Sequence, residues 1–134
     1  MTRDFYYFEI SFFIERRNIV NNKYEYTHEL WSNQIESISK SPQHWMSFRK
    51  TSAWMYKFSF DDQLLIHAQR PDARACASYE TWNDKLHRWI KRGSKGIALL
   101  NENGTLRYVF DISDTRSPEN KPLHLWSVDL ANEE

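Results

Sequence analysis

Two runs of strand-forming residues, Ile97 to Leu100 and Thr105 to Ile112, meet across Asn103-Gly104. An Asn-Gly pair accepts the positive φ angles of a tight hairpin turn, so this spacing predicts an antiparallel hairpin. Leu106, Tyr108, Phe110 and Ile112 alternate along the second run and are expected to share one sheet face. A hairpin needs further strands or helices to cover it, so the rest of the chain must supply them. Upstream, the pattern changes to helix. Ser41 is placed to cap a helix that Pro42 opens, with Trp45, Phe48, Ser52 and Met55 on one side. Ser59, with Asp62 following, starts another that Leu64, Leu65, Ile66 and Ala68 fill and that Pro71 stops after Arg70. Ser78 is a candidate cap for a short helix carrying Trp82, and His87 to Arg92 reads as a strand closed by the Gly93-Ser94-Lys95-Gly96 turn.

Nearer the start, Phe5 to Ile14 and Lys23 to Tyr26 read as a β-hairpin around Asn18 to Asn22, and Glu29 to Ser39 as an amphipathic helix. Leu123 to Val128 is expected to form a last strand. Helices followed by an antiparallel sheet predict an α+β fold. Residues 1–40 are expected to form an N-terminal extension, hairpin plus helix, packed on a main domain of residues 41–134.

Mean hydropathy of −0.77 argues against a membrane protein. The opening residues lack the long uncharged run of a signal peptide, so a cytoplasmic location is expected. Cys76 is the single cysteine, which removes intramolecular disulfides and thiolate-rich metal sites and suits a small buried residue. His28, His44, His67, His87 and His124 lack metal-ligand spacing, and neither a cofactor nor a metal is expected. Asp111 and Asp114 fit turn and capping roles better than a catalytic carboxylate pair. With three glycines there is no phosphate-cradling loop, and the chain reads as a non-enzyme.

The net charge is zero but unevenly spread: residues 41–109 carry 11 basic and 6 acidic groups, whereas residues 110–134 carry 2 and 6. The basic centre peaks in Lys85 to Gly96, which holds five Lys and Arg residues and no acid. If Ile90 faces the core, His87, Trp89 and Lys91 share the outer face. A tryptophan among cations suits a single strand, because a base stacks while its phosphates are neutralised. Lys85, Arg88, Trp89, Lys91, Arg92 and Lys95 are therefore the candidate nucleic-acid-binding residues, with Gln63 and Arg70 as weaker candidates on the helix before them. The competing reading packs Trp89 beneath a helix and leaves the charges merely solvated.

Four segments together resemble the N-terminal domain of ArdC-type antirestriction proteins, as found at the start of large helicase-like or methylase-like proteins of conjugative elements and phages. They are Tyr56 to Asp72, Ala75 to Asn83, Arg88 to Leu100 and Leu106 to Thr115, and the likeness spans residues 41–128. The resemblance implies an α+β domain that binds single-stranded DNA and protects an incoming element from host nucleases. The catalytic domains that follow in such proteins have no counterpart before Glu134, and residues 1–40 match nothing in the module. The expectation is a non-catalytic, single-strand-binding anti-defence protein of a mobile element. The alternative is a protein-binding inhibitor of a host defence nuclease, a restriction enzyme or a CRISPR effector, using the aromatic head Phe5 to Ile14 as its contact surface. A fragment of a longer protein is a third reading.

Overall fold

The computed structural model describes residues 22–117. Helix α1 (22–40) is followed by α2 (Pro42–Trp54) and α3 (Phe60–Gln69). Then come β1 (Cys76–Ala77), a π-helical turn (Thr81–Lys85), β2 (Trp89–Ile90), β3 (Ile97–Leu100), β4 (Leu106–Asp111), a 3-10 turn (Ile112–Asp114) and β5 (Thr115–Arg116). Helices precede an antiparallel sheet, and the fold is α+β.

Ser41 is the joint between the first two helices. Its extended backbone ends α1, and its side chain accepts from the His44 N–H at the start of α2, with Pro42 in the first turn. Ser59 caps α3 in the same way by accepting from the Asp62 N–H, while Asp61 and Asp62 sit favourably at the positive end of the helix. Leu64, Leu65 and Ile66 are consecutive and all fully buried. A helix covered on so many sides must be central. Accordingly α3 lies against both α2 and β3.

Helix α2 is covered less. Phe48, Thr51 and, just past its end, Met55 are buried, while Trp45 remains exposed and Ser52 is half-buried. The expected face therefore narrows to the stripe that α3 covers. Lys23 to Tyr26 departs from expectation outright: these residues are helical, the first turns of α1. Tyr24 and Tyr26 favour strands, but α1 sets Leu30 and Trp31 against the core, and such packing outweighs local propensity. The partner run Phe5 to Ile14, and the last strand expected over Leu123 to Val128, lie outside the described residues.

The sheet runs β1-β4-β3, all antiparallel, with Ile97 opposite Val109 and Leu100 opposite Leu106. Ile97, Leu99 and Val109 join Met55, Leu65, Ile66, Ala73 and Cys76 in the core. Leu106, Tyr108 and Phe110 alternate with the buried Val109 and Asp111, so they form the outer face, and Ile112 has already left the strand. The hairpin turn sits one residue earlier than expected. Gly104 N–H donates to the Asn101 carbonyl, and only Gly104 takes a positive φ, of 79°. This is a type I turn with a left-handed glycine after it, not a two-residue turn.

The outer edge of β3 is closed by a side chain. The Gln69 amide accepts from the Ala98 N–H at 2.9 Å and donates to the Ala98 carbonyl at 2.9 Å. One glutamine thus takes both ladder bonds that a neighbouring strand would use.

Candidate nucleic-acid interface

The chain between β1 and β3 buries one tryptophan and exposes the next. Ser78 precedes the helical segment that opens at Tyr79 and accepts from the Thr81 N–H, and in the π-helical turn that follows Leu86 N–H reaches back five residues to the Thr81 carbonyl. Trp82, fully buried, donates its indole N–H to the Phe110 carbonyl at 2.8 Å. His87 then adopts φ of 52°, the left-handed region that non-glycine residues seldom enter. Past that reversal β2 pairs with β5, setting Trp89 opposite Arg116 and Ile90 opposite Thr115. The expected strand from His87 to Arg92 thus shortens to Trp89 and Ile90, because His87 turns the chain and Lys91 has already left the pairing.

Alternation holds within β2. Ile90 is half-buried and Trp89 is 49% exposed, which places Trp89 on the surface and not under a helix. The Arg116 guanidinium lies over its ring, 6.0 Å from the centroid. Lys91 bridges to the segment leading into β5: its N–H donates to the Asp114 carbonyl at 2.7 Å and its ammonium to the Ser113 carbonyl at 3.1 Å. Ser94 N–H closes a turn onto the Lys91 carbonyl, and Gly93 within that turn has φ of 83°. Lys85, Arg92 and Lys95 are exposed, and among the described residues no group pairs with their charges.

Three of the other candidates face inward. Arg88 donates from Nε to the Thr115 hydroxyl and from Nη2 to the Thr115 carbonyl, and burial draws its pKa below the ordinary value. Arg70 ties the end of α3 to the 3-10 turn, donating to Asp114 at 3.0 Å and to the Ser113 hydroxyl at 2.7 Å. Gln63 is buried, with its amide given to the Met55 and Phe58 carbonyls and its oxygen accepting from the Ser52 hydroxyl. The structure exposes Trp89, Lys91, Arg92 and Lys95 along one stretch of chain, turns Arg88 onto Thr115, and holds Gln63 and Arg70 in the scaffold.

Arg116 is the residue that sequence reasoning missed. Nothing near it in the chain marks it, since its place follows only from the pairing of β2 with β5. The scaffold behind it is polar. Buried Asp111 accepts from the N–H groups of Arg74, Ala75 and Ser113 and from the Ser113 hydroxyl. Burial alone would raise its pKa, but these donors outweigh burial and hold the carboxyl below its ordinary value. Asp111 thus caps and ties turns.

The other reactive groups are quiet. Burial and the nearby Asp111 push the Cys76 thiol up to about 12, which leaves it an uncharged apolar filler. His67 has its pKa lowered by burial and by His44, and its Nδ1 lies 2.7 Å from the Thr51 hydroxyl. Asp62 pairs with Arg107, yet burial outweighs the arginine and raises its pKa. Among the described residues no three His, Cys, Asp or Glu side chains converge to hold a metal ion, and no helix is long and apolar enough to cross a membrane.

No family profile, curated protein or solved structure matches the chain.

Proposed function

We propose that this chain binds single-stranded DNA without catalysing a reaction on it, as an anti-defence protein of a mobile element acting in the cytoplasm of a bacterial host. The observation that carries the reading is the half-exposed Trp89 with Arg116 over its ring and Lys91, Arg92 and Lys95 on the turn beside it. A base stacks on the indole while the cations neutralise the flanking phosphates, giving affinity with little sequence preference. The resemblance of residues 41–128 to the ArdC-type N-terminal domain supports the anti-defence role.

Salt tests it. With four or five phosphates neutralised, the logarithm of affinity for an oligo(dT) falls with the logarithm of salt at a slope of about −3. Lys91→Glu with Lys95→Glu flattens that slope and weakens all sequences alike. A wild-type protein that binds no single strand at low salt removes the reading.

A second reading, inhibition of a host defence nuclease through a protein contact, is favoured by a different surface. Trp45 and Phe60 both pack on Phe48 yet stay exposed, with Met46 exposed on the same helix as Trp45. Aromatic residues and methionine are enriched in protein interfaces. The head proposed for that contact, Phe5 to Ile14, lies outside the described residues. Pull-down from bacterial lysate with and without nuclease treatment separates the readings: capture that survives nuclease treatment belongs to the protein contact.

A further inference from the structure

We infer that the bound strand runs on from Trp89 across the basic turn into the groove beside β4, where Tyr108 and Tyr79 stack further bases. The inference rests on the single-strand reading and adds a second stacking platform to it.

The basic turn and the outer sheet face are contiguous. Gly96 ends the turn and lies directly beneath two rings: a Cβ built there would sit 3.1 Å from the Tyr108 ring and 3.3 Å from that of Phe110. A strand neutralised by Arg92 and Lys95 therefore leaves the turn at the edge of Tyr108. Beyond it the described residues leave part of the sheet edge unpaired. β1 pairs only with Phe110 and Asp111, so from Arg107 to Val109 β4 has no strand on that side among the described residues. The notch left by the missing strand is a groove of about 700 Å³ walled by Tyr108, Tyr79 and Lys57.

Tyr79 is 54% exposed and Tyr108 43%, a large aromatic area turned toward water on both sides of the groove. Both rings offer flat faces to bases. Arg107 also borders the groove, but its guanidinium is held by Asp62 and by the Leu100 carbonyl, so stacking and not charge dominates here. Glu80 is the single acid lining the groove, and Lys95 immediately precedes Gly96, the glycine that meets the Tyr108 ring. The run of the basic turn directly into the Tyr108 ring favours a nucleic acid over a peptide adding to the edge of β4, the competing occupant.

The test is a length series. Fluorescence anisotropy follows oligo(dT) of increasing length on the full chain, its Trp89→Ala variant, and the Tyr79→Leu, Tyr108→Leu and Tyr79→Phe, Tyr108→Phe double variants. Leucine keeps apolar cover over Gly96 while removing the ring face. Wild-type affinity is expected to keep rising with length after the leucine variant has levelled off. On the longest strands the leucine variant binds about tenfold more weakly, whereas the shortest bind equally and the phenylalanine variant matches wild type.

A leucine variant that follows wild type at every length, while Trp89→Ala weakens all of them, overturns the second platform and leaves the first reading standing. A wild-type chain that binds no length overturns both. A leucine variant that melts earlier and loses short strands too assigns the tyrosines to the fold and overturns the inference. So does release of a bound extended Val/Thr peptide by the leucine variant without change in oligo(dT) binding, which assigns the groove to strand addition.

Discussion

Trp82 and Trp89 flank the same reversal at His87 and meet opposite fates. The first is fully enclosed with its N–H bonded to the Phe110 carbonyl; the second stands half in water beneath the Arg116 guanidinium. Both have polar neighbours, Asn83 beside one and Arg88 beside the other. Their difference comes from residues far along the chain: β4 offers Trp82 a carbonyl to receive its donor, and β5 offers Trp89 a cation. An indole can enter a core only where its N–H finds an acceptor, and of these two positions only that of Trp82 provides it.

The largest effect that could break this contrast is Trp82→Ala, expected to destabilise the fold by about 3–5 kcal/mol. Thermal unfolding reads this directly, and a change of only a few tenths would show that Trp82 is not structural. Asp111→Ala comes next, at about 2–3 kcal/mol, because it strands the buried Ala75 N–H and removes the acceptor of the Arg74 N–H. Asp111 leads into β5, so this variant also loosens Arg116 above Trp89. It should weaken oligo(dT) binding as well as lower the melting temperature, and intact binding would separate the two tryptophans completely. Trp89→Ala sharpens the comparison from the other side. It is expected to cost about 1–3 kcal/mol of single-strand affinity, with a stability change within about 0.5 kcal/mol. A large loss of stability instead would place Trp89 with Trp82.

The smallest effect is one of pH. His67 has a folded pKa below its ordinary 6.5, so its contribution to stability is present above pH 6.5 and is lost as pH falls through the folded value. Asp111 has the same sign at a lower window, beginning near its ordinary 3.8. Asp62, raised, opposes it: its cost to the fold is relieved as pH falls through its folded value. Unfolding midpoints measured from pH 7.5 to 5 should decline in the wild type and stay flatter in His67→Gln. Parallel curves would remove His67 from the account.

What the sequence disclosed follows from how far each signal reaches. Ser41, Pro42, Ser59 and Pro71 act within a turn of their own position, and the helix boundaries they mark were legible. Alternation put Trp89 and Ile90 on opposite faces, since two adjacent strand residues cannot share one, but which of them faced water was settled only by the fold. Lys23 to Tyr26 misled because strand propensity competes with packing, and packing of α1 decided it. Gln63 and Arg70 looked like a polar helix surface, but the end of α2 and the 3-10 turn fold back onto them. Arg116 and the Tyr79–Tyr108 groove were out of reach, because both depend on which strand stops where.

The glutamine on the rim of the sheet carries a consequence for the protein in bulk. With Gln69 in place, a growing ladder of copies has nowhere to start at Ala98, since both of its main-chain groups are already engaged. Removing that amide frees both main-chain groups of Ala98, and β3 then offers a template on which another molecule's strand can seat. Gln69 thus blunts the edge of β3 against strand addition.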